Sequence, residues 1–175
     1  MSKVVQIAGG LVVIMLMGYG DVAAQQPASD ETQEAIKLLL EADPGIADWF
    51  SGAAGYAVFP NVGKGGLGIG GAHGNGEVIA GGQALGKTEM TQVTIGLQAG
   101  GQSFIQVIFF KEEKDLDDFT GGNFEFSAQV SAVALTSGAS EDAAYTHGVA
   151  VFTMAKEGLM AEASIGGQKF KFEAY

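Results

Sequence analysis

The chain has 175 residues, of which 47% are hydrophobic and 17% charged, a composition that excludes a disordered chain and fits one domain with a substantial core. Its formal net charge is −11 and all 9 basic residues are lysines, which argues against nucleic-acid binding and against simple electrostatic adhesion to anionic lipid. It contains no cysteine, so disulfides, a thiolate nucleophile and a cysteine-ligated metal are excluded.

Residues 1–24 have the layout of a secretory signal peptide. Lys3 precedes an apolar run from Val4 to Met17, and small residues follow up to a cleavage site after Ala24. The apolar run is shorter than the roughly 20 residues that span a bilayer, which favours a cleaved signal over an anchor. We therefore expect an exported protein, located in the periplasm, at the outer membrane or outside the cell, with a flexible leader at residues 25–29.

Two helices are predicted within residues 30–52, the first with Asp30 as its N-cap. Asp43 and Pro44 separate them, because aspartate caps helices and proline is favoured at the first helical position. The apolar side chains of these helices either dock on a sheet as ordinary core or face a bilayer, and tryptophan suits the membrane interface. They are Ile36, Leu39, Leu40, Trp49 and Phe50.

The remaining chain is predicted to form a sheet over residues 55–174. Turns are expected at Gly74–Asn75–Gly76, which is the strongest hairpin signal, and at Gly86–Lys87 and Gly100–Gly101. A short acidic helix is expected over Glu112–Phe119. The predicted strands are Tyr56–Asn61, Gly66–His73, Glu77–Leu85, Thr91–Ala99, Ser103–Phe110, Phe124–Thr136, Val149–Met154, Leu159–Ile165 and Gln168–Phe172.

The predicted fold is therefore mainly β (α+β). We expect a twisted antiparallel, partly barrel-like sheet of about eight or nine strands, with N-terminal helices and one short inserted helix. Gly55–Phe59 recurs as Gly148–Phe152. This repeat indicates either chance similarity or two related end hairpins, which could pair and close the sheet.

Two nucleotide-binding patterns occur in the glycine-rich region. Gly81–Thr88 matches the P-loop, and Gly63–Gly68 and Gly66–Gly71 match the dinucleotide pattern. Both patterns need a helix directly after the loop, whose N-terminal amides bind the phosphates. Here a strand with period-two alternation or a turn is expected instead, so we predict no nucleotide and no other cofactor.

No active site emerges from the remaining polar residues. His73 and His147 are the only two histidines, and no ligand spacing joins them to carboxylates. Phe119 occupies an oxygen-ligand position of the calcium loop that Asp115–Asp118 would otherwise suggest. The serines lack the context of a nucleophile elbow. We predict neither a metal site nor an enzyme.

The candidate binding residues are apolar side chains, bare backbone and lysines. Strands rich in glycine offer a groove where an acyl chain or headgroup can lie against backbone. Lysines at predicted turns and at a strand end can gather at one rim around a phosphate. The predicted lipid-binding residues are Trp49, Phe50, Lys64, Lys87, Lys156, Lys169, Gly66, Gly68 and Gly70.

From about Asp43 to Phe172 the chain resembles the SYLF domain family, which was first noted for actin and phosphoinositide binding. The similar stretches are GYAVFPNVGKGGLGIGGAHGNGEV (55–78), TIGLQAGGQSFIQVIFF (94–110), GNFEFSAQVSAVALTSGAS (122–140) and GVAVFTMAKEGLMAEASIGGQKF (148–170). The similarity is greatest to exported, single-domain bacterial members. It implies phospholipid binding without catalysis, in one domain over residues 30–175.

The chain departs from eukaryotic members of the family at its first helix. In those members a basic amphipathic helix before the domain binds membranes, whereas residues 30–42 are acidic and contain Lys37 as their single lysine. We therefore expect neither a phosphoinositide preference nor, in an exported bacterial protein, actin binding. The leading prediction is non-catalytic phospholipid binding. The alternatives are a structural or adhesive envelope protein with a protein partner and, third, a lipid-modifying enzyme.

Overall fold

The structure is a computed structural model that describes residues 26–96, 101–122, 124–127, 130–156 and 165–175. The predicted signal peptide therefore lies outside the described residues, as do nearly all of the predicted strand Leu159–Ile165 and part of the turn at Gly100–Gly101.

The helices lie where the sequence predicts them. They are α1 (Asp30–Ala42), a 3₁₀ turn (Pro44–Ile46), α2 (Ala47–Gly52) and α3 (Glu113–Thr120). The N-cap of α1 is Ser29 rather than Asp30, since the Ser29 side chain accepts a hydrogen bond from the Thr32 amide. Asp43 caps the 3₁₀ turn with Pro44 at its first position, as predicted.

Seven strands form one sheet in the order β4-β7-β2-β1-β3-β6-β5. Their pairings are antiparallel except for β5 with β6, which is parallel. The strands are β1 (Gly55–Ala80), β2 (Gln83–Gly96), β3 (Gly101–Phe110), β4 (Phe124–Glu125), β5 (Val133–Ala134), β6 (Val149–Ala155) and β7 (Lys169–Ala174).

The long strand β1 doubles back on itself. A straight strand of its 26 residues would measure roughly 85 Å. Residues 55–65 pair with β3, whereas residues 68–80 pair with β2. An ideal Cβ on Gly55 would lie 3.0 Å from the Ile79 carbonyl oxygen, so the two halves are in contact. With each half counted separately the curled sheet has eight strands, which confirms the predicted fold class.

Two of the predicted turns are wrong. Gly74–Asn75–Gly76 lies inside β1 and Gly86–Lys87 lies inside β2, and the hairpin turns instead at Gly81–Gly82, whose φ angles are 58° and 77°. An ideal Cβ on Gly76 would lie 2.3 Å from the Val58 carbonyl oxygen. This glycine therefore permits close approach of neighbouring strands rather than a reversal of the chain.

The long strand predicted over Phe124–Thr136 is also wrong. The segment contains the two-residue strands β4 and β5, which lie at opposite ends of the sheet order. The chain therefore passes from one edge of the sheet to the other between them. Phe126 and Val130 are buried on this path in the core. The alternating apolar residues of this segment therefore pack in the core as the chain crosses the sheet, and they do not form one long strand.

The sheet curls around one of its faces. Phe59 in the first half of β1 and Phe170 in β7 are separated by two strands, which in a flat sheet would place them about 14 Å apart. Their ring centroids are 5.7 Å apart. We call this the inner face; α3 covers it, with Phe119 in ring contact with Phe110 and Phe170.

Helices α1 and α2 cover part of the opposite, outer face. Leu39 of α1 packs in one cluster with Val58, Phe109 and Phe152, which belong to the first half of β1, β3 and β6. The two similar segments of the predicted repeat, Gly55–Phe59 and Gly148–Phe152, flank β3 on its two sides. They do not close the sheet as hypothesised, because β4 and β5 occupy the ends of the strand order.

Candidate functional site

The outer face holds a groove of about 980 Å³ where the helices leave the sheet uncovered. Its floor is the second half of β1, β2 and β7, and its wall is the segment over residues 26–32. That segment, predicted as a flexible leader at its start, is bonded to the sheet, since Gln26 O accepts from the Ala84 amide. The polar and charged side chains that line it include Ser29, Glu31, Thr32, Glu77, Lys87, Glu89, Lys171, Glu173 and Tyr175.

Strand register places charged side chains of the floor in two rows. Lys87 of β2 lies between Glu77 of β1 and Glu173 of β7. Two residues along β2, Glu89 lies opposite Lys171 of β7. Because side chains two residues apart share a face, both rows point to the outer side. The floor therefore alternates in charge along and across the strands.

Glu77 is the buried residue of the groove floor that bonds to the wall, and its residue exposure is 7%. Its Oε2 accepts from the Ser29 amide at 2.9 Å, the Ser29 hydroxyl at 2.7 Å and the Thr32 hydroxyl at 2.5 Å. Burial alone would raise the pKa of Glu77, but the hydrogen bonds from Thr32, Tyr175 and Ser29 lower it below its ordinary value. Glu77 is therefore an ionised carboxylate whose acceptor sites are occupied.

Tyr175 closes the same network from the end of β7. Its hydroxyl donates to Glu77 Oε1 at 2.5 Å, and its ring lies 5.9 Å from Lys87 Nζ. Burial, together with the bond to the Glu77 carboxylate, raises the pKa of Tyr175 to about 12. The phenol therefore remains a protonated donor at neutral pH. The network ties the start of α1 to β1 and to the end of β7.

Four charges of the groove have no ion-pair partner among the residues that the structure describes. They are the cations of Lys87 and Lys171 and the carboxylates of Glu31 and Glu173. Glu89, by contrast, lies 3.7 Å from His73 Nδ1. The groove thus presents free charges of both signs.

The four lysines predicted to gather at one rim are separated into two pairs. Lys87 and Lys169 lie on the outer side of β2 and β7, where Lys169 Nζ is 3.6 Å from Glu125. Lys64 is paired with Gln102 of β3, and Lys156 follows β6 on the other side of β3. Lys64 and Lys87 lie within strands, not at turns.

Sequence reasoning missed Lys171 and Glu173. Their signal was the alternation of charged and aromatic residues in KFKFE (169–173), which places Lys169, Lys171 and Glu173 on one side of a strand. That β7 lies beside β2 was not visible in this pattern.

The aromatic residues of α2 pack against the outer face. The Trp49 ring lies 4.9 Å from Tyr145 and 5.1 Å from Phe152, and its Nε1 donates to the Ser140 carbonyl oxygen at 3.2 Å. Phe50 lies 4.9 Å from Phe109. Both side chains are half-buried, so they hold α2 on the sheet. Their contact with lipid stays a prediction.

The glycines predicted to line a lipid groove lie in β1. Gly68 is paired with Gly96 and Gly70 with Thr94, while Gly66 lies between the two halves of the strand. Their contact with lipid also stays a prediction.

A second, apolar hollow of about 440 Å³ lies on α1. Ile36 and Leu40 are half-buried there, beside the stems of Gln33, Lys37 and Glu41. Both side chains pack against the core cluster that includes the buried Ala35 and Leu39 of the same helix. The part of Ile36 and Leu40 that stays accessible leaves an apolar stripe of α1 at the surface.

The described residues lack the features of a membrane-spanning helix, a metal site and a P-loop. No helix among them has the length and apolar character needed to cross a bilayer, and no three of their histidine and acidic side chains cluster as metal ligands would. The run matching the P-loop pattern forms the Gly81–Gly82 turn and the start of β2. A strand therefore follows the glycines where phosphate binding needs a helix.

The chain is similar to a known protein family and to a curated bacterial protein. Residues 91–174 match the family model described as Ysc84: Las17-binding protein actin regulator. The chain is also 33% identical over 140 residues to Beta cell expansion factor A of Aeromonas veronii, an alignment that covers 78% of this chain and 52% of that protein. The chain thus spans about half the length of this curated relative.

Proposed function

The chain belongs to the SYLF domain family, the family that the Ysc84 model represents, and from this membership we propose that it is a non-catalytic phospholipid-binding protein of the bacterial envelope. Apolar contact supplies most of its affinity for membranes, and lysines contact the headgroups. The arrangement of residues 1–24 as a secretory signal supports export to the envelope.

The observation that carries this proposal is the apolar stripe of α1. A surface helix that packs one side on the core normally turns polar residues outward. Here Ile36 and Leu40 are half-buried, because they pack against the core cluster and still leave part of their apolar surface accessible. Lys37 lies 3.7 Å from Glu34 and 3.9 Å from Glu41, so its charge is partly neutralised. Such a helix can insert side chains into a bilayer without relying on charge attraction.

Other apolar and basic residues extend this contact in the proposal. The exposed parts of Trp49 and Phe50 add to the inserted surface. Lys64, Lys87, Lys156 and Lys169 contact headgroups, each pair on its own part of the surface, and the glycine-rich strand at Gly66–Gly70 offers bare backbone to lipid.

Flotation of residues 25–175 with phospholipid vesicles tests the proposal. The double variant Ile36→Ser, Leu40→Ser should lose vesicle binding at a temperature where its thermal unfolding curve shows it to be folded, a check that is needed because both side chains also pack against the core cluster. Val93→Ser is the matched control, since Val93 is 78% exposed on β2. Equal binding by the parent and the double variant would contradict insertion by α1.

A protein partner is the second candidate. The matching family is described as a Las17-binding actin regulator, which is a protein-binding role. If the folded parent protein floats with no vesicle of any phospholipid composition, the lipid proposal fails and the protein-partner function becomes the better account.

A further inference from the structure

We infer that the groove on the outer face binds the headgroup of a zwitterionic phospholipid in which a primary ammonium accompanies the phosphate, as in phosphoethanolamine lipids. This inference rests on the proposed membrane binding and names the headgroup class. It is carried by the four unpaired charges of the groove and by the strand register that places Lys87 beside Glu173.

The balance of the unpaired charges indicates a ligand with charges of both signs. Glu77 is saturated by hydrogen bonds from Ser29, Thr32 and Tyr175, and Glu89 lies beside His73. The charges left over are two lysines and two glutamates. A phosphate can accept from Lys87 or Lys171 while an ammonium donates to Glu31 or Glu173.

The strand register brings one cation and one carboxylate of this set close together. Lys87 and Glu173 are register partners on neighbouring strands, and such partners lie about 5 Å apart at their Cβ atoms. The phosphate and ammonium of phosphoethanolamine are separated by a two-carbon link, so these two flexible side chains can reach both groups of one headgroup. The groove, at about 980 Å³, is large enough for a headgroup and open enough to admit it from a membrane.

Two other headgroup classes fit less well. Four glutamates and two lysines line the groove, so a headgroup with several phosphates would meet excess negative charge. A quaternary ammonium such as choline prefers a cage of aromatic rings. The ring of Tyr175 already faces Lys87, and Phe172 is the other aromatic residue that lines the groove. A primary ammonium instead gains from carboxylate acceptors.

The first test uses soluble headgroups and amide NMR spectra of residues 25–175. Glycerophosphoethanolamine should shift the Gly76 and Thr88 amides at lower concentration than glycerophosphocholine or glycerol phosphate. Lys87→Gln and Glu173→Gln should each weaken its binding about tenfold, the loss of one charge-assisted hydrogen bond. Lys111→Gln, at an exposed lysine outside the groove, is the control and should change nothing. Equal shifts by all three ligands, or no shift, would overturn the inference.

The second test uses vesicles of phosphatidylcholine doped with either phosphatidylethanolamine or phosphatidylglycerol. The parent should prefer the ethanolamine vesicles, and Lys87→Gln should abolish that preference. If the parent binds all vesicles equally and binding needs Ile36 and Leu40, membrane binding stands and the headgroup inference fails. If soluble glycerophosphoethanolamine binds but no vesicle does, the ligand is not a membrane lipid and both proposals fail as stated.

Discussion

Glu77 joins three parts of the chain that are far apart in sequence. It lies on β1 and accepts four hydrogen bonds. Two come from the amide and hydroxyl groups of Ser29, one from the Thr32 hydroxyl group in α1, and one from the Tyr175 hydroxyl group. A buried carboxylate is tolerated only when such donors replace water. One side chain therefore fixes where the first helix and the last described strand meet the sheet.

Replacing this carboxylate should reveal its pH dependence. Glu77→Gln should lower the free energy of unfolding at neutral pH by about 2 kcal/mol, because an amide cannot accept from all of these donors. The pKa of Glu77 is lowered in the fold, so its contribution is complete above the ordinary value of 4.5 and is lost as pH falls through the folded value. The deficit of the variant, measured by urea unfolding, should therefore shrink in acid.

Glu173→Gln is the matched control for this experiment, because Glu173 is exposed and makes no ion pair among the described residues. Its unfolding free energy should stay within about 0.5 kcal/mol of the parent. A Glu77→Gln deficit that is the same at every pH would show that the carboxylate charge is not what the network stabilises.

At the scale of elements, glycines decide how tightly the strands of the sheet can approach. An ideal Cβ on Gly86 would lie 2.3 Å from the Glu173 carbonyl oxygen and 2.7 Å from the Phe172 ring. By contrast, a Cβ on Gly63 would have no described atom within 4 Å. Both glycines lie in strands, but only at Gly86 would an added side chain collide with the neighbouring strand β7.

Gly86→Ala should therefore destabilise the protein by about 1–3 kcal/mol, the usual cost of overpacking, by pushing β7 away from β2. Gly63→Ala should be close to neutral. Thermal unfolding of the two variants beside the parent measures the difference. A Gly86→Ala variant as stable as Gly63→Ala would mean that the β2–β7 contact relaxes without cost.

The sequence predicted the elements well where one local rule governs them. The caps at Asp43–Pro44, the helix near Glu113–Thr120 and strand β6 follow from capping and alternation. It failed where one pattern serves two purposes. Asn75 between two glycines is typical of a turn. In the structure, however, Gly74 and Gly76 lie in a strand, where an added Cβ would clash with Val62 or with the Val58 carbonyl oxygen. Local sequence does not contain that information.

At the scale of the whole molecule, the net charge of −11 makes simple attraction to anionic membranes unfavourable. Vesicle binding that depends on apolar insertion should therefore survive high salt, because screening acts on charges and not on burial of apolar surface. Flotation with vesicles in increasing salt measures this. Loss of binding by about 0.3 M salt would contradict insertion as the main source of affinity.

The candidate groove could be predicted only in part, for a reason that belongs to the whole fold. Alternation shows that Lys169 and Lys171 share a side of their strand, and that Lys87 and Glu89 share a side of theirs. Which strands are neighbours is decided by pairing across about 85 residues, as between Lys87 and Glu173. Local sequence patterns could therefore not predict that these charges meet, nor that Lys64 and Lys156 lie far from them.

The two ends of the described chain meet on consecutive residues of β2. Gln26 O accepts from the Ala84 amide at 2.9 Å, and the Tyr175 amide donates to Leu85 O at 3.1 Å. Chain ends so close can be joined by a short linker, and the exposed turn at Ser137–Gly138 can be opened in exchange. The segments would then be synthesised in a different order. A circularly permuted chain should reach the same fold.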